Sequence, residues 1–302
     1  MSSFQILARE RHGSHSRLSC YFTEASHTWD AEWDRYSPAA VRRVMEYYRR
    51  VTPIFRTLLR YLPRDGDVLE AGSGLGFWVA LLNEAGCRAR GIDYSEEALS
   101  LARRTFPGLR FDHGDVRTLP FAGRSLAGYV SFGVAEHFVE GPDAVLREAA
   151  RVLRPGGILI LTVPWISPLR LLQPGIRSEA PQESHFYQYF FEKAEMQERT
   201  SACGFRLVTT TSYGTSKTLF DLLREMKGER AVASREQRDA PPTMTMTGAE
   251  AADTSSPSVG LARRLFWHAQ DLVLENPVAR RLAGHMLMLV AERTEQGIAA
   301  RE

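Results

Sequence analysis

The chain has 302 residues, 44% of them hydrophobic and 25% charged, and its 38 Lys and Arg against 36 Asp and Glu leave a net charge of +2. That balance describes a globular chain long enough for one large domain or a domain with an appendage, without the basic field that a nucleic-acid or membrane-surface partner would exploit. Cys20, Cys87 and Cys203 stand far apart with no metal or redox spacing, and no run of about eighteen apolar residues reads as a membrane span, so a reducing cytoplasm is the expected location.

The segment from Met1 to Arg17 is charged and has no apolar h-region, so no leader is expected there. Residues 1–20 are polar and read as loose. Trp29, Trp33 and Tyr36 then precede Pro38, and Val41, Val44, Met45, Tyr48, Val51 and Ile54 recur at helical spacing. Pro53 restarts the pattern, which Phe55, Leu58, Leu59 and Leu62 carry to Pro63. Residues 1–59 are thus expected to form an N-terminal segment and helical cap.

Val68-Leu69-Glu70-Ala71-Gly72-Ser73-Gly74-Leu75-Gly76 is the stretch around which the rest is ordered. An apolar strand ends in an acid, glycines recur at 72, 74 and 76, and Trp78, Val79, Leu81 and Leu82 begin a helix. Glycines let a ligand approach the backbone, and the helix start directs its first N–H groups at that ligand. A dinucleotide turn would need a glycine in the sixth place, where Phe77 stands, and Glu70 would repel a pyrophosphate but suit a cation. A second short strand, residues 87–93, ends in Asp93, where a ribose would present its hydroxyls. Ser95 reads as the N-cap of the next helix.

A third strand, 109–116, ends at Asp115, and a fourth, Leu126–Phe132, runs into Gly133-Val134-Ala135-Glu136-His137. A helix from Pro142 stops at Arg154-Pro155-Gly156-Gly157 before a fifth strand, 158–164. Alternating βα units of this kind imply a parallel sheet with its ligand at the carboxyl ends of the strands.

On the glycine turn, Asp93, Asp115 and the string Val-Leu-Arg-Pro-Gly-Gly-Ile-Leu-Ile-Leu-Thr-Val-Pro, residues 60–164 resemble the class I S-adenosylmethionine-dependent methyltransferases of small-molecule type. The resemblance implies an α/β fold with a Rossmann-like, seven-stranded, mostly parallel sheet whose last strand is antiparallel, a methyltransferase core over 60–214, and S-adenosyl-L-methionine as cofactor. It also implies cofactor contacts from Glu70, Ala71, Gly72, Ser73, Gly74, Gly76, Asp93, Tyr94, Asp115, Val116, Phe132 and His137. Asp115 would accept from the adenine amino group, and Tyr94 would either pack on the ring or stand half-exposed in its loop. The aromatics at 29, 33 and 36 either pack on the core or close over the cofactor.

Residues 165–190 read as a loop ending in the aromatic run Ser184-His185-Phe186-Tyr187-Gln188-Tyr189-Phe190-Phe191, which either lies over an acceptor pocket or is core for the helix 192–202. A sixth strand over 206–211 follows, and the final strand is expected at 285–292 within a closing segment 284–302. Between them lies an insertion, 215–283, with a helix near 218–226, a polar loop over 228–258 read as disordered or a mobile lid, and a second helix over 259–274 that packs on the domain, shapes a pocket or lies on a membrane surface.

Transfer of a sulfonium methyl needs an in-line acceptor and, for a hydroxyl, a base. His137 and His185 are the candidate catalytic residues. Glu136-His137 resembles part of a metal site in some quinone-precursor O-methyltransferases, but Gly133 replaces its further Glu, so no metal is expected. The sequence thus points to methylation of a small-molecule acceptor, at a hydroxyl oxygen. The alternatives are an RNA or protein methyltransferase, a nicotinamide-dependent oxidoreductase and a catalytically silent cofactor-binding partner. The oligomeric state is not written in the sequence.

Overall fold

Apolar runs bounded by glycine turns fold as strands, and the period-3.6 runs between them as helices. The computed structural model describes residues 5–22, 33, 36–51, 53–179, 184–226 and 276–295. Trp29, the 228–258 loop and the 259–274 helix of the sequence reading lie outside the described residues. The chain divides into two compact units: Met1–His27, Pro164–Glu192 and Thr211–Leu287 make one, and Thr28–Val163, Lys193–Thr210 and Met288–Glu302 the other. Helices α1 (Pro38–Val51) and α2 (Pro53–Tyr61) fall in the unit that carries the glycine turn.

That second unit is built on a seven-stranded sheet. Its strands are β3 (Asp67–Ala71), β4 (Arg88–Asp93), β5 (Phe111–His113), β6 (Leu126–Phe132), β7 (Leu153–Pro164), β9 (Phe205–Tyr213) and β10 (Met286–Arg293). They lie in the order β5-β4-β3-β6-β7-β10-β9. β3 pairs in parallel with β4 and β6, β4 with β5, and β6 with β7, while the last strand runs antiparallel. Helices α3 (Phe77–Glu84), α4 (Glu96–Thr105), α5 (Asp143–Val152) and α6 (Lys193–Ala202) connect them. The core follows the sheet: Val68, Leu69, Ile92, Val130, Leu159, Ile160 and Leu161 are fully buried. Each such side chain removed from water contributes about 1.5–3 kcal/mol before entropy is counted. The third strand is shorter than expected, three residues against eight, because Gly114 turns the chain and its N–H donates to Asp93 O.

The first unit corrects the reading of residues 1–20 as loose. β1 (Gln5–His12) and β2 (His15–Phe22) form an antiparallel hairpin closed at Gly13, whose φ of 65° suits the tight turn. β8 (His185–Phe190) adds to β2, so the aromatic run read as loop is a strand. The hairpin was hidden because half of a two-faced strand is polar: Ala8, Leu18, Cys20 and Phe22 are buried, while Arg9 and Arg11 stand outside. Buried Arg17 rests its guanidinium 4.7 Å from the Tyr189 ring centre and 4.9 Å from that of Phe191. Helix α7 (Thr215–Met226) and a further helix, α8 (Pro277–Ala283), belong to this unit. Asn276 caps α8 by accepting from Val278 N at 2.9 Å and Ala279 N at 3.0 Å.

Candidate active site

The glycine turn leaves the carboxyl end of β3, the middle of the sheet, and is strapped to its neighbour. Gly72 N and Ser73 N both donate to Ile92 O on β4, at 2.9 and 3.0 Å, and Gly76 N donates to Ser73 O at 2.8 Å. Gly76 has φ 73°, and a methyl there would stand 2.6 Å from the Phe111 ring. Gly76→Ala is therefore expected to cost about 2–4 kcal/mol through backbone strain and overpacking, read as a lower urea midpoint at unchanged m value. Gly74 has φ 45°, and a methyl there would stand 3.3 Å from the Trp33 ring, so the indole lies over the turn.

Two carboxylates fix this loop. Asp93, at the end of β4, accepts from Gly74 N at 2.7 Å through Oδ2 and from Ser95 N at 3.0 Å through Oδ1. Ser95 in turn caps α4 by accepting from Ala98 N at 3.2 Å. Glu70 faces helix α3, where its Oε2 accepts from Val79 N at 3.0 Å, the cap that the side-chain-less Gly76 cannot supply. Burial raises the Glu70 carboxyl well above its ordinary range, and the nearby Asp93 charge pushes the same way. Ser73 Oγ is buried and has no hydrogen-bond partner among the described residues.

β6 brings the remaining groups. Ser131 Oγ donates to Ala71 O at 3.0 Å, and the Phe132 ring lies 5.0 Å from that of Trp78. Beyond it Val134 packs on Gly72, and a short 3-10 turn, Ala135–His137, carries Glu136 and half-buried His137. Glu136 is a residue that sequence reasoning did not select for the site. It is 0% exposed, neither carboxyl oxygen has a partner among the described residues, and burial pushes it up to about 8. Its position beside His137 after a strand end was the available signal.

Other expected contacts sit differently. Tyr94 is 55% exposed, and its carbonyl accepts from His113 Nε2 at 2.9 Å. Val116 is buried, but both oxygens of Asp115 are engaged by Arg117, whose guanidinium lies within 3.1 Å of each and holds the carboxyl below its ordinary range. Arg117 also lies 4.6 Å over the Phe138 ring. His185 is exposed on β8, opposite Phe22, and belongs to the other unit from His137. No cluster of three or more metal-ligating side chains occurs among the described residues.

A strand, a glycine turn capped by a buried acid, and an aspartate nineteen residues beyond Gly74 at the next strand's end define a nucleoside-cofactor domain of Rossmann-like build. The turn fits S-adenosylmethionine rather than a dinucleotide: Ser73 Oγ waits for a partner, and buried acids flank the place where a pyrophosphate would need neutral backbone. Residues 69–161 match the family model described as a methyltransferase domain. This region is a class I S-adenosylmethionine-dependent methyltransferase domain, with S-adenosylmethionine as its cofactor.

The relatives agree. A protein named as a probable S-adenosylmethionine-dependent methyltransferase of Mycolicibacterium smegmatis is 37% identical over 98 residues, 32% of this chain and 38% of that one. A demethylmenaquinone methyltransferase of Chlorobaculum parvum is 32% identical over 104 residues, 34% of this chain and 43% of that one. The chain thus spans about two fifths of the length of the curated relatives it matches. A chain from the Haloferax volcanii complex of the Trm112 methyltransferase activator and a methyltransferase shares the fold, with TM-score 0.53 and 20% identity over 89% of this chain and 99% of that one. No helix among the described residues is long and apolar enough to cross a membrane.

Proposed function

We propose that the protein methylates a hydroxyl oxygen of a small-molecule acceptor, with His137 as the base. The observation that carries this reading is the turn 72–76 held by Asp93. Asp93 accepts from Gly74 N and Ser95 N, and in this reading the same carboxylate, at the end of β4, receives the ribose hydroxyls while it holds the turn. Ser73 Oγ and the glycine backbone would face the amino-acid end, Trp33 would cover it, and Tyr94 and Val116 would flank the adenine. Asp115, saturated by Arg117, orients the Val116 loop in this reading rather than receiving the adenine amino group.

The cofactor supplies an electrophilic methyl on sulfur; the chain's task is to align the acceptor oxygen and take its proton. His137 stands just past β6, the strand paired with β3, and a neutral imidazole removes a hydroxyl proton near physiological pH. The likeness to a demethylmenaquinone methyltransferase supports a small organic acceptor. The near-neutral net charge argues against an RNA docking face.

The test is incubation with methyl-labelled S-adenosylmethionine and a fractionated small-molecule extract. Label should appear in O-methyl products, and His137→Ala should lower kcat roughly 10²- to 10⁴-fold while cofactor affinity changes little. Label confined to RNA or protein, or an unchanged kcat in the variant, would sink the proposal.

A further inference from the structure

Glu136 is an acid beside the glycine turn that the methyl-transfer reading does not use. It lies in the 3-10 turn Ala135–His137, just past β6, the strand paired in parallel with β3. The register brings the two strand ends level: Glu70 pairs with Val130, and Ser131 Oγ reaches Ala71 O at 3.0 Å. Val134 then packs on Gly72, where a methyl would meet its Cγ2 at 2.3 Å, so the segment carrying Glu136 is pressed against the first glycine of the turn.

The side chain breaks the usual rule for buried acids. It is 0% exposed, and neither oxygen has a hydrogen-bond partner among the described residues. A carboxyl inside a protein is ordinarily answered by donors or by a cation. The titratable groups at this end of the sheet are Glu70 on β3, Asp93 on β4, Asp115 with Arg117 beyond β5, and His137, Glu140 and Asp143 after it in the chain. None of them acts on Glu136: burial raises its carboxyl, and its own backbone N–H is the one opposing influence. Glu70 is raised as well, by burial first, and the influences on it include no cation. Buried acids thus stand at the turn, and the described residues bring no cation to Glu70 or Glu136.

The cofactor carries one. Its sulfur bears a permanent positive charge and is bonded to the 5′ carbon of the ribose. With the ribose at Asp93 on β4 and the adenine beyond it toward β5, the strand order β5-β4-β3-β6 puts the sulfur on the side of β3 and β6. Neighbouring strands lie only about 5 Å apart.

We propose that Glu136 is the counter-charge of the cofactor's sulfonium, set inside the protein next to the turn. It acts through the field and not by contact, because a charge in the water-excluded interior is screened far less than one in solvent. Without the cofactor the carboxyl keeps its proton; with the sulfonium in place it ionises, and the proton passes to the buffer. S-adenosylhomocysteine, whose thioether is neutral, leaves Glu136 protonated. The site thereby favours the methyl donor over the spent product. The inference rests on the placing of the ribose at Asp93.

The test is calorimetric titration of the full chain with each ligand at pH 6.5 and pH 9, repeated in buffers of different ionisation enthalpy to count protons. With S-adenosylmethionine the wild type should release most of one proton more than Glu136→Gln at about pH 6.5 and little more at about pH 9, and its affinity advantage over the variant should grow roughly tenfold or more between them. The cofactor's own amino group titrates in the same range, at about 8, but alike against both proteins, so it cancels in the difference. With S-adenosylhomocysteine the two proteins should agree in proton count and, within about twofold, in affinity, which also shows that the variant is folded. Equal proton counts in wild type and variant, equal pH dependence of the donor's affinity, or the same excess release with S-adenosylhomocysteine would each overturn the proposal. Cofactor binding itself, and its loss in Asp93→Ala, tests the placing of the ribose, so the two readings fail separately.

Discussion

Asp93→Ala is expected to lower S-adenosylmethionine affinity roughly 100-fold or more while the sheet stays folded. The carboxylate does two things at once. It accepts from Gly74 N at 2.7 Å and Ser95 N at 3.0 Å, tying the glycine turn to β4, and in the proposed complex it receives the ribose hydroxyls. A hydrogen bond to a charged acceptor contributes about 1.5–3 kcal/mol. Loss of the ribose contacts alone thus accounts for a factor of about 100, and a loosened turn adds to it. Asp93→Asn, which keeps one acceptor oxygen, should fall between wild type and alanine. Calorimetric titration with the cofactor checks all three, and circular dichroism confirms that the fold survives.

The second large effect is on stability and depends on pH. Glu136 is fully buried, neither oxygen has a hydrogen-bond partner among the described residues, and burial pushes its carboxyl up to about 8 from an ordinary 4.5. Below 4.5 the group is protonated in both states, and its neutral form suits the interior. As pH rises from 4.5 to 8 the unfolded chain gives up the proton while the native one keeps it, so stability falls; above 8 the native group ionises too and the loss levels off. At ~1.4 kcal/mol per pH unit the full loss is about 5 kcal/mol. Glu136→Gln, which cannot ionise, should match the wild type near pH 4.5 and exceed it by several kcal/mol near pH 8.5. Glu70, raised by burial in the same direction, is present in both proteins and cancels in the comparison. Urea unfolding at the two pH values decides the matter; parallel pH profiles would contradict it.

The sheet around the cofactor turn was legible because its signals are local. Glycines at 72, 74 and 76 between an apolar strand and an apolar helix leave few alternatives, and Ser95 announces its helix by N-cap chemistry alone. The hairpin at 5–22 was not legible, since its alternating polar face makes the composition resemble a loose segment. The strand at 185–190 was obscured for the opposite reason: Phe186, Tyr187, Tyr189 and Phe190 are apolar throughout, and only pairing with β2 separates strand from loop or pocket lining. Helix α8 is seven residues long and too short for periodicity to show.

Within the site, the positions of Asp93 and Asp115 were readable, but their partners were not. That Arg117 occupies both oxygens of Asp115 depends on a turn of three residues, and that Glu70 caps α3 depends on where Val79 N falls in space. Glu136 illustrates the limit most clearly. Its neighbour His137 drew attention for its chemistry, whereas the burial that distinguishes Glu136 is a property of the folded sheet.

Equilibrium binding of labelled S-adenosylmethionine to the full chain, with NAD as competitor and Asp93→Ala as control, tests the account most directly. Saturable binding that NAD does not displace and that the variant loses is the predicted result. Displacement by NAD, or equal binding in the variant, would show that the turn at 72–76 is not the methyl donor's cradle.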